Sequence, residues 1–242
     1  MVSKEAVYRG CLLGLAVGDA LGYAIDSKSW DEIAADYGPD GLRGYDLVNG
    51  YADVTSYTQM AAYAVNGLLL GLTRGQLRGK MAPFVRYIGL GLQEWSMGQH
   101  SYRTPERCHC WVAQIPELRR RRCMDTRMLD RLDRDETGTP EEPKNDSGHP
   151  GGLVNAVAVG LFFDPERMNP QEIGRLGADA VALTHGDPST FLAGAVLAYV
   201  IAGVVQDPDT SLRDHFMQAA EVQRPLSTVQ TSPSQAVISE EI

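Results

Sequence analysis

Residues 55–72 place Met60, Ala61, Ala64, Val65, Leu68, Leu69 and Leu72 at the three- and four-residue spacing of one helix face. Thr55 and Ser56 stand before them as hydroxyl-bearing N-cap candidates, and Gly75 offers a stop. The same period recurs along the chain. Residues 6–22 carry Val7, Cys11, Leu12, Leu15 and Leu21, with Gly10, Gly14 and Gly18 every fourth position, a face that another helix or a ligand can approach closely. Ser29-Trp30-Asp31-Glu32 is a capping-box pattern opening a short helix that Gly38 ends. Further helices are predicted over residues 76–97, 106–112, 170–183, 188–205 and 211–222. Residues 153–163 fit helix or strand by periodicity alone, and their helical neighbours favour helix. The pattern therefore predicts an all-α chain. Residues 133–152, rich in Gly, Pro, Asp and Glu, read as a long loop of the functional or disordered kind.

With 242 residues, 43% of them hydrophobic, the chain is expected to form one helical domain over residues 1–225. The Ser, Thr, Gln and Pro content of residues 226–242 predicts a frayed tail. A net charge of −9 argues against nucleic-acid partners, and the run Arg119-Arg120-Arg121-Arg122 reads as a solvated helix end. The four cysteines lack the spacing of a disulfide framework and no secretory signal is recognised, so the cytoplasm is the expected compartment. Cys108-His109-Cys110 is tighter than a usual zinc loop and has no second ligand pair after it. The apolar run over residues 191–205 falls short of the about 20 residues a bilayer needs, so it reads as a core helix and no membrane partner is expected.

The segment RGCLLGLAVGDALGYAID, residues 9–26, resembles the opening helix of the ADP-ribosylglycohydrolases, where a glycine-studded helix ends in Gly-Asp-Ala-Leu-Gly and an acid follows. Here these are Gly18, Asp19, Ala20, Leu21, Gly22 and then Asp26. Three more stretches follow in family order: residues 110–123 with Trp111, Pro116, Glu117 and Leu118, the loop 138–152, and the pair Thr184-His185. The resemblance spans about residues 5–205 and implies an orthogonal multi-helical, magnesium-dependent hydrolase fold. It also implies a chain lacking that fold's C-terminal helices, including the segment that supplies the second set of metal carboxylates.

The same resemblance assigns candidate site residues. Asp26 and Asp19 are the catalytic candidates; for Asp19 the cleft-lining role is the favoured one, and a bond to a neighbouring backbone amide at a helix end is the alternative. Ser147, Gly148, Gly151, Gly152 and His185 are the ligand-binding candidates, while His149 reads as a loop-surface histidine. In the family, a Thr or Ser and two aspartates at the start of the helix near residue 55 bind magnesium. This chain has Thr55 as a remnant, with Ser56 and Tyr57 at the lost aspartate positions. Magnesium needs oxygen ligands, and carboxylates offset its dehydration; a phenol with a pKa near ~10 does not. Asp53, just upstream of that helix, cannot replace two carboxylates, and Asn155 stands where the family has an arginine.

These departures predict a family member with an eroded metal site, requiring no cofactor and binding ADP-ribose, a related nucleotide or ADP-ribosylated protein with impaired catalysis. The alternatives are an active hydrolase that removes ADP-ribose from modified protein, and a truncated copy without a ligand. Uncovered helix faces in such a chain would favour self-association.

Overall fold

The computed structural model describes residues 3–47, 50–80, 82–100, 108–123 and 125–229. Among them the chain is all-α, with nine α-helices and no strand: α1 (Lys4–Gly22), α2 (Trp30–Tyr37), α3 (Ser56–Arg78), α4 (Phe84–His100), α5 (Thr126–Asp133), α6 (Leu153–Phe162), α7 (Pro170–Ala182), α8 (Pro188–Gln206) and α9 (Leu212–Val229). Residues 153–162 are helical, as their neighbours suggested. α6 lies at the centre, between α3 on one side and the α7–α8 pair on the other, with Asn155 to Leu161 buried. α4 packs on α3, α5 on α4, and α9 on α8. One main apolar core runs through Met60, Tyr63, Leu68, Leu92, Trp95 and Phe191.

Local capping chemistry sets several boundaries. Ser29 accepts from the Glu32 amide while Glu32 accepts from the Ser29 amide, completing the capping box. Thr55 is the N-cap of α3. α3 does not end at Gly75, which is buried inside the helix; it runs to Arg78 and stops where Gly79 turns left-handed at φ 63°. The next helix accordingly begins at Phe84, just after Pro83, rather than at residue 76. α3 and α4 cross with backbones in contact, because a Cβ on Gly67 would lie 2.2 Å from the Tyr87 carbonyl oxygen.

The helix expected over residues 106–112 is not formed in its described part: residues 106 and 107 lie outside the described residues, and Cys110 is extended. Two 3-10 turns follow instead, Trp111–Gln114 and Pro116–Arg119. Buried Glu94 holds the start of this segment, accepting from the amides of His109 at 2.7 Å and Cys110 at 2.8 Å. That geometry engages Glu94 with the Cys-His-Cys loop. The last helix passes residue 222 and continues to Val229, and residues 230–242 of the expected tail lie outside the described residues.

α8, at 19 residues, is long and apolar enough by length and composition to cross a membrane, longer than the apolar run counted from the sequence. Its Phe191, Ala195, Ala198 and Ala202 belong to the main core. α1 is less covered. Val7, Cys11 and Leu15 pack on Val157, Leu161 and Val205, but Leu13 is 58% and Val17 53% exposed. No heavy atom outside the helix's own turns lies within 4 Å of a Cβ built on Gly10, Gly14 or Gly18, so the glycine face is open rather than a helix contact.

Candidate ligand cleft at the start of α3

Asp19, in the last turn of α1, is bound to the start of α3. Its Oδ2 accepts from the Thr55 amide at 2.8 Å, the Thr58 amide at 3.2 Å and the Thr58 hydroxyl at 2.6 Å. Its Oδ1 accepts from the Thr55 hydroxyl at 2.6 Å. The first amides of a helix have no partner within it, and a carboxylate there is favoured by both hydrogen bonding and the helix dipole. Of the two roles open to Asp19 from sequence, the structure places it at a helix end, and it is not among the cleft-lining residues. Thr55 is thereby engaged twice, since its hydroxyl also accepts from the Tyr57 amide at 3.1 Å.

Beside this junction lies a cleft of about 470 Å³. Asp26, Thr55, Ser56, Tyr57, Ser147, Gly151 and His185 all line it, so the four sequence-distant segments of the candidate site do converge. His149 also lines the cleft and is not merely a loop-surface residue. Gly148 and Gly152 are not on its wall. Gly152 has a supporting task, because a Cβ there would lie 2.5 Å from His185 Nδ1. Gly148 packs near Asp187.

Three rings form one side of the cleft. His149 stands between Tyr57 and His185, with ring centroids 6.1 and 6.3 Å away. Its Nδ1 accepts the Gly151 amide at 3.0 Å, which leaves the proton of a neutral ring on Nε2. Burial, with the Asp26 and Asp19 carboxylates adding to it, pushes the Tyr57 phenol up, so the hydroxyl stays neutral. His185 is buried, with Thr184 Oγ1 at hydrogen-bond distance, 2.8 Å from its Nδ1. Burial first, and His149 second, depress its pKa to about 4.

The His185 shift has a definite sign. The unfolded imidazole takes a proton near pH 6.5 and the folded one only near 4, so its contribution to stability is complete above about 6.5 and is lost as pH falls towards 4. An NMR titration of the His185 ring should show a midpoint near 4. A midpoint at the ordinary histidine value would contradict its placement.

Asn155 does not reach the cleft in place of the family arginine. It is fully buried, and its Nδ2 donates to the Ala180 carbonyl and the Thr184 hydroxyl, both at 3.2 Å. It ties α6 to α7 beneath His185.

The rest of the lining was missed from sequence: Tyr23, Met60, Arg121, Arg122, Cys123, Asp125 and Met128. The arginine run begins at the end of the 3-10 turn Pro116–Arg119, with Arg120 and Arg121 exposed, and its backbone is clasped by two buried glutamines. Gln59 Nε2 donates to the carbonyls of Glu117 at 3.1 Å and Arg120 at 3.0 Å. Gln99 Nε2 donates to the Arg120 carbonyl at 3.3 Å, and its Oε1 accepts from the amides of Arg122 at 2.7 Å and Cys123 at 3.0 Å. Gln99 Nε2 also donates to Gln59 Oε1 at 3.1 Å, which closes the network. The signal available in the sequence was Gln59 itself, a polar side chain beside Met60 and Ala61 in the first turns of the helix, ahead of its apolar stretch. Asp53, already unsuited to metal, pairs with Arg122, whose guanidinium sits 6.0 Å above the Tyr23 ring centroid.

The start of α3 offers hydroxyls and backbone rather than carboxylates. Among the described residues no group of three His, Cys, Asp or Glu side chains is placed to hold a metal ion. An all-α fold among the described residues, with a cleft at the α1–α3 junction, is the architecture, and sequence comparison identifies the class: the ADP-ribosylglycohydrolase family model matches residues 2–241. The chain belongs to that family, which implies ADP-ribose-related substrates. No curated protein and no solved structure matches it.

Proposed function

We propose that this protein binds ADP-ribose or a related nucleotide in the α3 cleft without magnesium, and that its glycohydrolase catalysis is impaired. The observation that carries this reading is the state of the α3 N-terminus. Thr55 is held by Asp19 and Tyr57, Ser56 is neutral, and the Tyr57 phenol is pushed away from ionisation. A hard divalent cation needs oxygen ligands with enough negative charge to offset its dehydration, and these residues do not fit it. The ring wall of Tyr57, His149 and His185 suits a nucleotide better than an ion.

An active hydrolase is the competing reading, and Asp26 supports it as the catalytic candidate that does line the cleft. The third reading, a copy without a ligand, is favoured by no feature of the cleft. The test is calorimetric and catalytic together. A native-state ligand at 100 times its Kd adds about 2.7 kcal/mol, so a working magnesium site would raise Tm by several degrees. The expected result is no shift with magnesium and no release of ADP-ribose from modified protein. Magnesium-dependent release would establish the hydrolase.

Cytoplasmic residence belongs to the same proposal, supported by the cysteine pattern, which lacks the spacing of a disulfide framework. The acidic net charge supports partners other than nucleic acid. Self-association through α1 is proposed on the exposure of Leu13, Val17 and Leu21, four residues apart on one face. Sedimentation velocity should show a concentration-dependent dimer that Leu13→Lys removes; a monomer at all concentrations would refute it.

A further inference from the structure

Arg119, Arg120, Arg121 and Arg122, with Pro116, line a second pocket of about 440 Å³. It shares Arg121 and Arg122 with the ligand cleft, so the two are contiguous. The described ion pairs set Asp53 against Arg122 and, at 3.7 Å, against Arg120. Arg121 is exposed and forms no ion pair among the described residues. This concentration of positive charge sits in a chain of net charge −9.

A run of cations left to solvent needs no anchor. Here Gln59, fully buried, and Gln99, 2% exposed, fix the backbone of the run from α3 and α4. Buried amides are tolerated when hydrogen-bonded, and each of these has both ends satisfied by the other or by residues 117–123, with Trp95 Nε1 donating to Gln59 as well. The scaffold thus fixes the backbone from which the guanidinium groups project before any ligand arrives. Guanidinium forks carry permanent charge and match phosphate oxygens in pairs, which lysine does not.

We infer that the Arg119–Arg122 pocket is an oxyanion site for the phosphate groups of a ligand that extends out of the α3 cleft, with Arg121 and Arg122 facing both spaces and Arg122 already set against Asp53. The inference rests on the proposed nucleotide reading for what fills the cleft, whereas the oxyanion site itself depends only on the arginines. Their fixed charge does there what a divalent cation does for phosphate in metal-dependent sites, without requiring carboxylate ligands.

Inorganic pyrophosphate is the probe, titrated into the full chain at low ionic strength and compared with ADP-ribose. Arg121→Ala should weaken both ligands by about tenfold to a hundredfold, as loss of charge-assisted hydrogen bonds does, while leaving Tm unchanged because the side chain is exposed. Arg121→Lys should recover only part of the loss. Pyrophosphate binding that depends on Arg121, without any ADP-ribose binding, would keep the oxyanion site and remove the nucleotide from the cleft. ADP-ribose binding indifferent to Arg121, or no pyrophosphate binding by the unmodified chain, would overturn the inference.

Discussion

Replacing Asp19 with alanine is expected to destabilise the protein by about 3–4 kcal/mol, a drop in Tm of roughly 10 °C. The carboxylate accepts four hydrogen bonds from Thr55 and Thr58, two of them from amides at the start of α3. Hydrogen bonds to a charged group contribute about 1.5–3 kcal/mol each, and they are not additive when they share one acceptor. Removing the acceptor also leaves amides at a helix start without a partner and detaches the end of α1 from α3. Asp19→Asn keeps one oxygen acceptor and should lose less. A drop below about 1 kcal/mol for the alanine variant, measured by urea unfolding, would mean that the α1–α3 junction is not organised by this side chain.

The second large effect is Gly67→Ala, expected to destabilise by about 2–3 kcal/mol. Its Cβ would stand 2.2 Å from the Tyr87 carbonyl oxygen and 2.8 Å from the carbonyl carbon. Backbone cannot rotate away as a side chain does, so α4 must move off α3 and loosen the core around Tyr63, Leu68 and Leu92. Alanine's better helix propensity returns only about 1 kcal/mol. Gly14→Ala is the control. That position is helical, exposed and has nothing within 4 Å of the added Cβ, so the same change there should stabilise by roughly 0.5–1 kcal/mol. Equal responses at the two glycines would contradict the close crossing of α3 and α4.

The difference between these glycines shows what the sequence can and cannot express. Caps are local, so Thr55 and the Ser29–Glu32 box were readable, and helical periodicity located α3, α7 and α8, whereas α6 was legible as helix only from its helical neighbours. Which glycine ends a helix is not local: Gly75 stays helical because it is buried in α3, and Gly79 carries the left-handed turn. The same limit applies to the cleft. The family resemblance pointed to Asp26, Thr55, Ser147 and His185, and to Tyr57 as a departure from its motif, and all five line one cleft. Arg121 and Arg122 were legible only as charge. Their position depends on Gln59 and Gln99, 40 residues apart, meeting over residues 117–123, which no periodicity records. Asn155 was legible as a lost arginine but not as the buried link between α6 and α7 that it forms.

The cleft is proposed to bind ADP-ribose through its rings and arginines and not through magnesium. Isothermal titration of ADP-ribose into the full chain, once with excess EDTA and once with magnesium, tests it most directly. The account predicts saturable binding with the same Kd in both. Binding only in the presence of magnesium would contradict it, as would no binding in either.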